Sequence, residues 1–250
     1  MKRYLVLSAL AISVFTACKK TENNSSNNNS SNSNTNNNNT TVKTCKQSTR
    51  SYTFFGSTYE SSYTFDANGL ETGYTHKVNN VINTTYGAYT HDGSGNILTY
   101  NIYNASNVKT GSMVYTYTNG KLASMSNYDA SNNLVYAQKD YQYDGNGNNT
   151  SYNYYNSSNV KTIEYTLVYD SNNKLITNTS TPYPSGTATV TTNTYSNGKL
   201  SSTQMKTGNL VISSSSGYNY DSDGNNTSYT GYDNSNNPTT YTMTYTCFTK

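Results

Sequence analysis

The sequence predicts an all-β domain, an up-and-down antiparallel meander of about sixteen strands. Three observations predict it: a 26-residue repeat, two kinds of turn in each repeat, and period-two alternation between the turns. Phe65, His91, Tyr117, Tyr143, Tyr169, Tyr195 and Tyr220 each stand just before a main turn, spaced by 26 residues five times and then by 25. A fixed period of this size marks a repeated supersecondary unit. The unit is clearest in Tyr141-Gln142-Tyr143-Asp144-Gly145-Asn146-Gly147 and in Tyr218-Asn219-Tyr220-Asp221-Ser222-Asp223-Gly224. A second turn follows about halfway through each repeat, as in Asn104-Ala105-Ser106-Asn107, Asp129-Ala130-Ser131-Asn132 and Asp233-Asn234-Ser235-Asn236. Each repeat is therefore a hairpin. Asp66-Ala67-Asn68-Gly69 suits a type I turn closed by a left-handed Gly, and Asn119-Gly120 and Asn197-Gly198 suit two-residue type I′ turns. Between turns, Ile163, Tyr165, Leu167 and Tyr169 alternate with Glu164, Thr166 and Val168, the pattern of a strand with two unlike faces.

Residues 1–17 read as a signal peptide: Lys2 and Arg3, an apolar stretch from Leu5 to Phe15, then small residues before Cys18. Phe15-Thr16-Ala17-Cys18 resembles the lipobox of bacterial lipoproteins. That resemblance implies cleavage before Cys18, acylation of its thiol, and stable anchoring by several acyl chains. Lys19 in place of Asp implies no retention in the inner membrane. Cys18-Lys19-Lys20 ahead of a polar tether is similar to lipoproteins of the Bacteroidota. The implied location is the outer membrane, at its periplasmic face or at the cell surface. Every residue from Asn23 to Asn39 is Asn, Ser or Thr, with nothing apolar to offset the entropy of ordering. Residues 18–43 are thus expected to be a disordered tether, spanning roughly 25–30 Å on average. Residues 44–250 are the β domain.

The whole chain carries a formal charge of +3. Setting aside Lys2, Arg3, Lys19, Lys20, Lys43 and Glu22 leaves 11 of the 16 basic and 12 of the 13 acidic residues in the domain. With no basic stripe, nucleic acid is excluded as a partner. The chain has 28 Tyr and no Trp, and few aliphatic residues. Tyrosine must do the packing, with its ring half buried and its hydroxyl reaching water or a partner.

Once Cys18 is assigned to lipid, Cys45 and Cys247 remain, on the first and last strands of an exported domain where disulfides persist. They are read as a bridge. A bridge needs Cα atoms within about 7 Å, so it would make the first and last strands neighbours and close the sheet into a barrel. Closure also removes exposed strand edges. An even strand number puts both cysteines at the end carrying the Tyr-Asp turns. The alternative is an open, curled single-layer sheet.

The Tyr-Asp turn with Gly or Asn beyond it resembles the YD (RHS-type) repeats of bacterial surface and toxin-shell proteins, over residues 63–240. In place of that family's Gly-Arg-Leu stand Gly69-Leu70, Gly120-Lys121-Leu122 and Gly198-Lys199-Leu200. The layout of lipobox, polar tether and β-hairpin array also resembles an uncharacterised family of Bacteroidota lipoproteins with a porin-like barrel. Neither resemblance implies an activity.

No constellation points to catalysis, a metal or a cofactor. Asp144-Gly145-Asn146-Gly147-Asn148 and Asp221-Ser222-Asp223-Gly224-Asn225 resemble the start of calcium loops, but the later bidentate Glu is missing. His76 and His91 sit in strands without ligand spacing or a marked partner. One surface stands out. Tyr115, Tyr117, Tyr141, Tyr143, Tyr165, Tyr169, Tyr218 and Tyr220 recur on one face of equivalent strands. They are either a candidate ligand face for a glycan or similar polar ligand, or the core of the repeat. The expected function is a non-catalytic envelope scaffold anchored in the membrane by lipid. Its expected partners are the membrane and another envelope protein, with glycan binding by the Tyr face as the alternative.

Overall fold

The computed structural model describes residues 43–249, so residues 1–42, including Cys18, lie outside the described region. Sixteen antiparallel strands follow one another up and down, and no helix occurs among the described residues. They run β1(Lys43–Phe54), β2(Ser57–Phe65), β3(Glu71–Val78), β4(Val81–His91), β5(Ile97–Asn104), β6(Lys109–Thr118), β7(Lys121–Asp129) and β8(Leu134–Tyr143). The second half is β9(Asn149–Asn156), β10(Lys161–Tyr169), β11(Leu175–Pro182), β12(Thr189–Ser196), β13(Lys199–Thr207), β14(Leu210–Tyr220), β15(Asn226–Tyr232) and β16(Pro238–Thr249). Each strand pairs with its sequence neighbours, and β1 pairs with β16, so the sheet is a closed barrel and not an open sheet. The seam runs from Lys43↔Thr249 to Tyr52↔Tyr241 with one register slip between Gln47 and Thr49, and Cys45↔Cys247 are direct partners with Cα atoms 4.0 Å apart, joined by a disulfide.

The turns explain why the chain reverses where it does. In nine of them one Asp or Asn side chain organises the loop. Asp144 shows the pattern: Oδ1 accepts from the backbone N of Asn146 (2.9 Å) and of Asn148 (2.8 Å), and Oδ2 accepts from Asn148 Nδ2 (2.8 Å). Asp66, Asp92, Asn104, Asp129, Asn156, Asp170, Asp221 and Asp233 accept the same two backbone bonds through Oδ1. The fourth residue of each loop is left-handed and is always Gly or Asn, for example Gly147 (φ 88°) and Asn107 (φ 57°). The calcium-like sequences are therefore turn locks whose carboxylates already hold backbone donors. Asn119-Gly120 (φ 52°, 73°) and Asn197-Gly198 (φ 48°, 78°) are the expected type I′ pairs.

A contrast between two glycines tests this account. Gly120 is left-handed, whereas Gly145 is not, and a Cβ at either would meet nothing within 4 Å. Gly120→Ala should therefore cost about 1–2 kcal/mol through the backbone alone. Gly145→Ala should leave the thermal midpoint unchanged or slightly raised. Equal effects would contradict the turn assignment.

Period-two alternation sorts the wall into two faces. Met113, Tyr152, Leu167 and Met243 are buried and point inward, while Val168, next to Leu167, is exposed on the outer wall. The outer face of the closing strands reads Thr49, Ser51, Thr242 and Thr244, linked across the seam by hydroxyl hydrogen bonds of 2.7 Å. Three strands carry a left-handed residue just before the inward Tyr, at Ala88, Asp140 and Gly217. Each marks a bulge where the register slips: Gly87/Thr90, Lys139/Gln142 and Ser216/Asn219. The bulges let Tyr89, Tyr141 and Tyr218 face inward although the strand has one residue too many.

Candidate functional site

Tyrosines line much of the inner wall, because the repeat puts Tyr at inward positions of many paired strands, although β11 and β13 carry none. Tyr165 is the register partner of Tyr152, and their rings stack at 4.5 Å and 9°. Tyr141 stacks on the other side of Tyr152 at 5.1 Å. A second ladder crosses the seam: Tyr218, Tyr229, Tyr241, Tyr52 and Tyr59, with centroids 4.7 to 5.0 Å apart. A third runs through Tyr63, Tyr74, Tyr86, Tyr100 and Tyr115. Offset stacks of this kind add to the area they bury.

The eight tyrosines singled out in the sequence fall into two rows. Tyr115, Tyr141, Tyr165 and Tyr218 belong to the ladders in the body of the barrel. Tyr143, Tyr169 and Tyr220 lie at strand ends before Asp turns and Tyr117 before the Asn119-Gly120 turn, all at the same rim as the disulfide. In that lower row the hydroxyls of Tyr117, Tyr143 and Tyr220 donate to the backbone carbonyls of Ile97 (3.1 Å), Leu122 (2.8 Å) and Leu200 (2.7 Å). Tyr195 and Tyr245 do the same to Leu175 and Asn226. Each such bond ties a strand end to the start of the preceding strand. Lys121, Lys174 and Lys199 sit over the rings of Tyr143, Tyr195 and Tyr220 at 4.9 to 5.4 Å. Lys121 and Lys199 belong to the turn sequences that stand in place of Gly-Arg-Leu, and Lys174 holds the matching place in Asn173-Lys174-Leu175.

Sequence reasoning missed half of the surface. Tyr52, Tyr74, Tyr100, Tyr152 and Tyr229 lie on the odd-numbered strands, which the alignment on the Asp turn passes over, and a second alignment on the halfway turn would have found them; Tyr86 lies on β4, five residues before the aligned His91, and Tyr241 on β16, beyond the last aligned residue. It also missed two charges on the inner wall. The Arg50 guanidinium lies 4.8 Å from the Tyr241 ring, and its Nη2 donates to Tyr229 Oη at 2.6 Å. Arg50 Nε is buried without a partner. Glu71 accepts from Tyr89 Oη at 2.6 Å, and burial pushes its carboxyl above the usual range.

His76 Nδ1 lies 3.4 Å from Ser61 Oγ, a long contact, and among the described residues no carboxylate bonds to that imidazole. His91 packs beside Tyr89 with Nε2 buried and unpaired. Cys45, Asp223 and Cys247 are close enough to hold an ion, but both sulfurs belong to the disulfide and Asp223 pairs with Lys43 at 2.6 Å.

Burial changes how the tyrosines titrate. It pushes the phenols of Tyr63, Tyr86 and Tyr229 up to about 12, and those of Tyr100, Tyr141 and Tyr152 further. The folded state therefore favours the neutral phenol more than the unfolded chain does. That stabilisation is complete below about pH 10, where free tyrosine titrates, and is lost as pH rises through 12. The tyrosinate absorbance of these six rings should thus appear together with the loss of circular dichroism, in a cooperative step above pH 10. Ionisation of every tyrosine near pH 10 with the fold intact would contradict a buried ladder. At acid pH the sign reverses. Side-chain hydrogen bonds from Asn96, Asn133, Asn148 and Asn237 hold Asp92, Asp129, Asp144 and Asp233 below the usual carboxylate range. Their contribution is present at neutral pH and fades as pH falls through those lowered values.

No protein-family profile and no curated protein matches the chain. Solved structures do match. A porin-like protein from Bacteroides uniformis superposes with a TM-score of 0.56 at 11% identity, over 79% of this chain and 96% of that one. The chain shares that barrel fold. The likeness extends to the fold alone. A TcdB2-TccC3-Cdc42 complex matches at 16% identity over 72% of this chain and 13% of that one, with a TM-score of 0.31, too low to carry an argument.

Proposed function

We propose that the chain is a lipid-anchored envelope protein whose barrel serves as a structural or interaction scaffold and carries out no catalysis. The observation that carries this reading is the polarity of the wall. Stacked tyrosines line the inside, and the outside is mostly Thr, Ser and Asn. A membrane-spanning barrel needs an apolar outer band about 25 Å tall, the reverse arrangement. The wall polarity supports a barrel that stands in water and owes its membrane association to an anchor. In this reading residues 1–17 are a cleaved signal peptide, Cys18 carries the lipid, residues 18–43 are the tether, and residues 44–250 form the domain. The hairpins are YD-type units, and the protein sits on the outer membrane, at its periplasmic face or at the cell surface. It needs no cofactor and binds no nucleic acid.

Mass spectrometry of the protein from membranes should find acyl chains on Cys18, and Cys18→Ser should be washed from membranes that retain the unmodified chain. A washed Cys18→Ser protein that stays bound would place the anchor elsewhere. Residues 43–250 expressed alone should remain monodisperse without detergent, and a strict detergent requirement would reverse the reading.

Arg50 favours a second reading. A half-buried guanidinium whose Nε has no hydrogen-bond partner within the chain, set beside a tyrosine ladder, is a surface on which a glycan could stack and hydrogen-bond. That reading expects a ligand in a screen of envelope and dietary polysaccharides, with binding abolished in a folded Tyr143→Ala/Tyr169→Ala protein. A blank screen favours the scaffold, and so does a double variant that unfolds.

A further inference from the structure

The two rims of the barrel treat their apolar residues differently. At the rim where β1 begins, Leu70, Ile97, Leu122, Leu175 and Leu200 follow the turns and are partly buried. At the opposite rim the apolar residues in or just after the turns stand in solvent: Phe55 is 85% exposed, Val81 68%, Leu210 62%, Val108 57% and Val160 56%. Val135 and Tyr183 extend the ring, so seven of the eight distal turns carry an exposed apolar side chain. Of the large exposed apolar residues, Val168 alone lies away from this rim. Ser106-Asn107-Val108-Lys109-Thr110 and Ser158-Asn159-Val160-Lys161-Thr162 are the same five residues in two of these turns.

Phe55 shows that the exposure works against the fold. It holds a left-handed φ of 47° at a type I′ position that Asn fills elsewhere, at Asn119 and Asn197. A bulky aromatic residue is an outlier there, and although its ring meets Phe54 edge-on, with centroids 4.2 Å apart, it stays 85% exposed.

We propose that this distal ring rests in the interfacial layer of a lipid bilayer while the barrel wall stays in water. Apart from Val168, the wall exposes no large apolar side chain among the described residues. Backbone donors of the distal turns are already closed on themselves, as in Asn107 N to Asn104 O (2.9 Å) and Val108 N to Asn104 Oδ1 (3.0 Å), so the tips carry few unmet polar groups into the interface. The chain outside the barrel permits it. Twenty-four residues separate Cys18 from Lys43 and can reach about 80 Å when extended. β1 has 12 residues and rises about 40 Å at most. A chain anchored at Cys18 can therefore lay its far rim on the same membrane. The identity of that membrane rests on the lipoprotein reading; the affinity of the ring for lipid does not.

The test uses the absence of Trp. Phe55→Trp puts one fluorophore in the distal ring, and Asn146→Trp puts one at the other rim. Both are made in the full chain, with and without Cys18→Ser, and mixed with phosphatidylcholine vesicles. The expected result is a blue shift and quenching by brominated acyl chains for Phe55→Trp only, in both backgrounds, at higher lipid when Cys18 is replaced. Phe55→Asn with Leu210→Asn should weaken vesicle binding of the Cys18→Ser chain about tenfold. Phe55→Asn alone should raise the thermal midpoint, so lost binding cannot be ascribed to unfolding. No shift in either background overturns the proposal, whatever Cys18 carries. An unacylated Cys18 with the shift intact overturns only the anchor. A shift that needs no lipid and grows with protein concentration assigns the ring to a second copy and overturns the proposal.

Discussion

Replacing both Cys45 and Cys247 with Ser is expected to lower barrel stability by up to about 5 kcal/mol, because the bridge closes a loop of 202 residues. For a domain of this size each kcal/mol moves the midpoint by roughly 2–4 °C, so calorimetry should see a fall approaching 10–20 °C. The barrel should nevertheless close. Nine register pairs join β1 to β16, from Lys43↔Thr249 to Tyr52↔Tyr241, and Arg50 bridges from β1 over β16 to Tyr229 on β15. The double variant should therefore keep amide protection in both strands at low temperature. Loss of protection confined to β1 and β16 at all temperatures would mean that the disulfide, and not strand pairing, holds the seam.

Tyr152→Ala should cost about 3–5 kcal/mol, the range for removing a buried aromatic ring. Tyr152 is only 6% exposed and lies between Tyr141 and Tyr165. No hydrogen bond to its hydroxyl is formed within the described residues, so Tyr152→Phe keeps the stack and should stay within about 1 kcal/mol of the parent. Thr166→Ala, on the outer face of the next strand, should be nearly neutral, within about 0.5 kcal/mol. Chemical denaturation of the three variants reads all of this directly. If Thr166→Ala costs as much as Tyr152→Ala, the inner and outer faces have been assigned the wrong way round.

Much of this fold is legible in the sequence because the turns are chemically explicit. Asp or Asn opening a loop and Gly or Asn at its left-handed position mark the reversals, and counting between them yields the sixteen strands. Cys45 and Cys247 then imply closure. The bulges are not legible in the same way. Ala88, Asp140 and Gly217 share no side-chain chemistry, and only the backbone shows that each is an inserted residue. Arg50 and Glu71 are inward charges that period-two alternation does not mark. Ring contacts and tyrosine hydroxyls offset their burial: Tyr229, the partner of Arg50, comes from β15 far along the chain, and Tyr89, the partner of Glu71, from the adjacent β4. The candidate ligand face was half legible, since aligning the repeats on the Asp turn hid the tyrosines of the intervening strands. The distal apolar ring was invisible to periodicity, because one Val or Leu after a turn reads alike whether it is tucked in or left out.

A barrel with its tyrosines inside and its wall in water is tested by single cysteines in the full-length protein, at Thr179, on the outer face of β11, and at Leu167, on the inner face of β10. A membrane-impermeant, water-soluble thiol reagent is added to opened envelopes without detergent. The account predicts rapid labelling of Thr179→Cys and protection of Leu167→Cys until the barrel is unfolded. Protection of Thr179→Cys that detergent relieves would place the wall in lipid and contradict it.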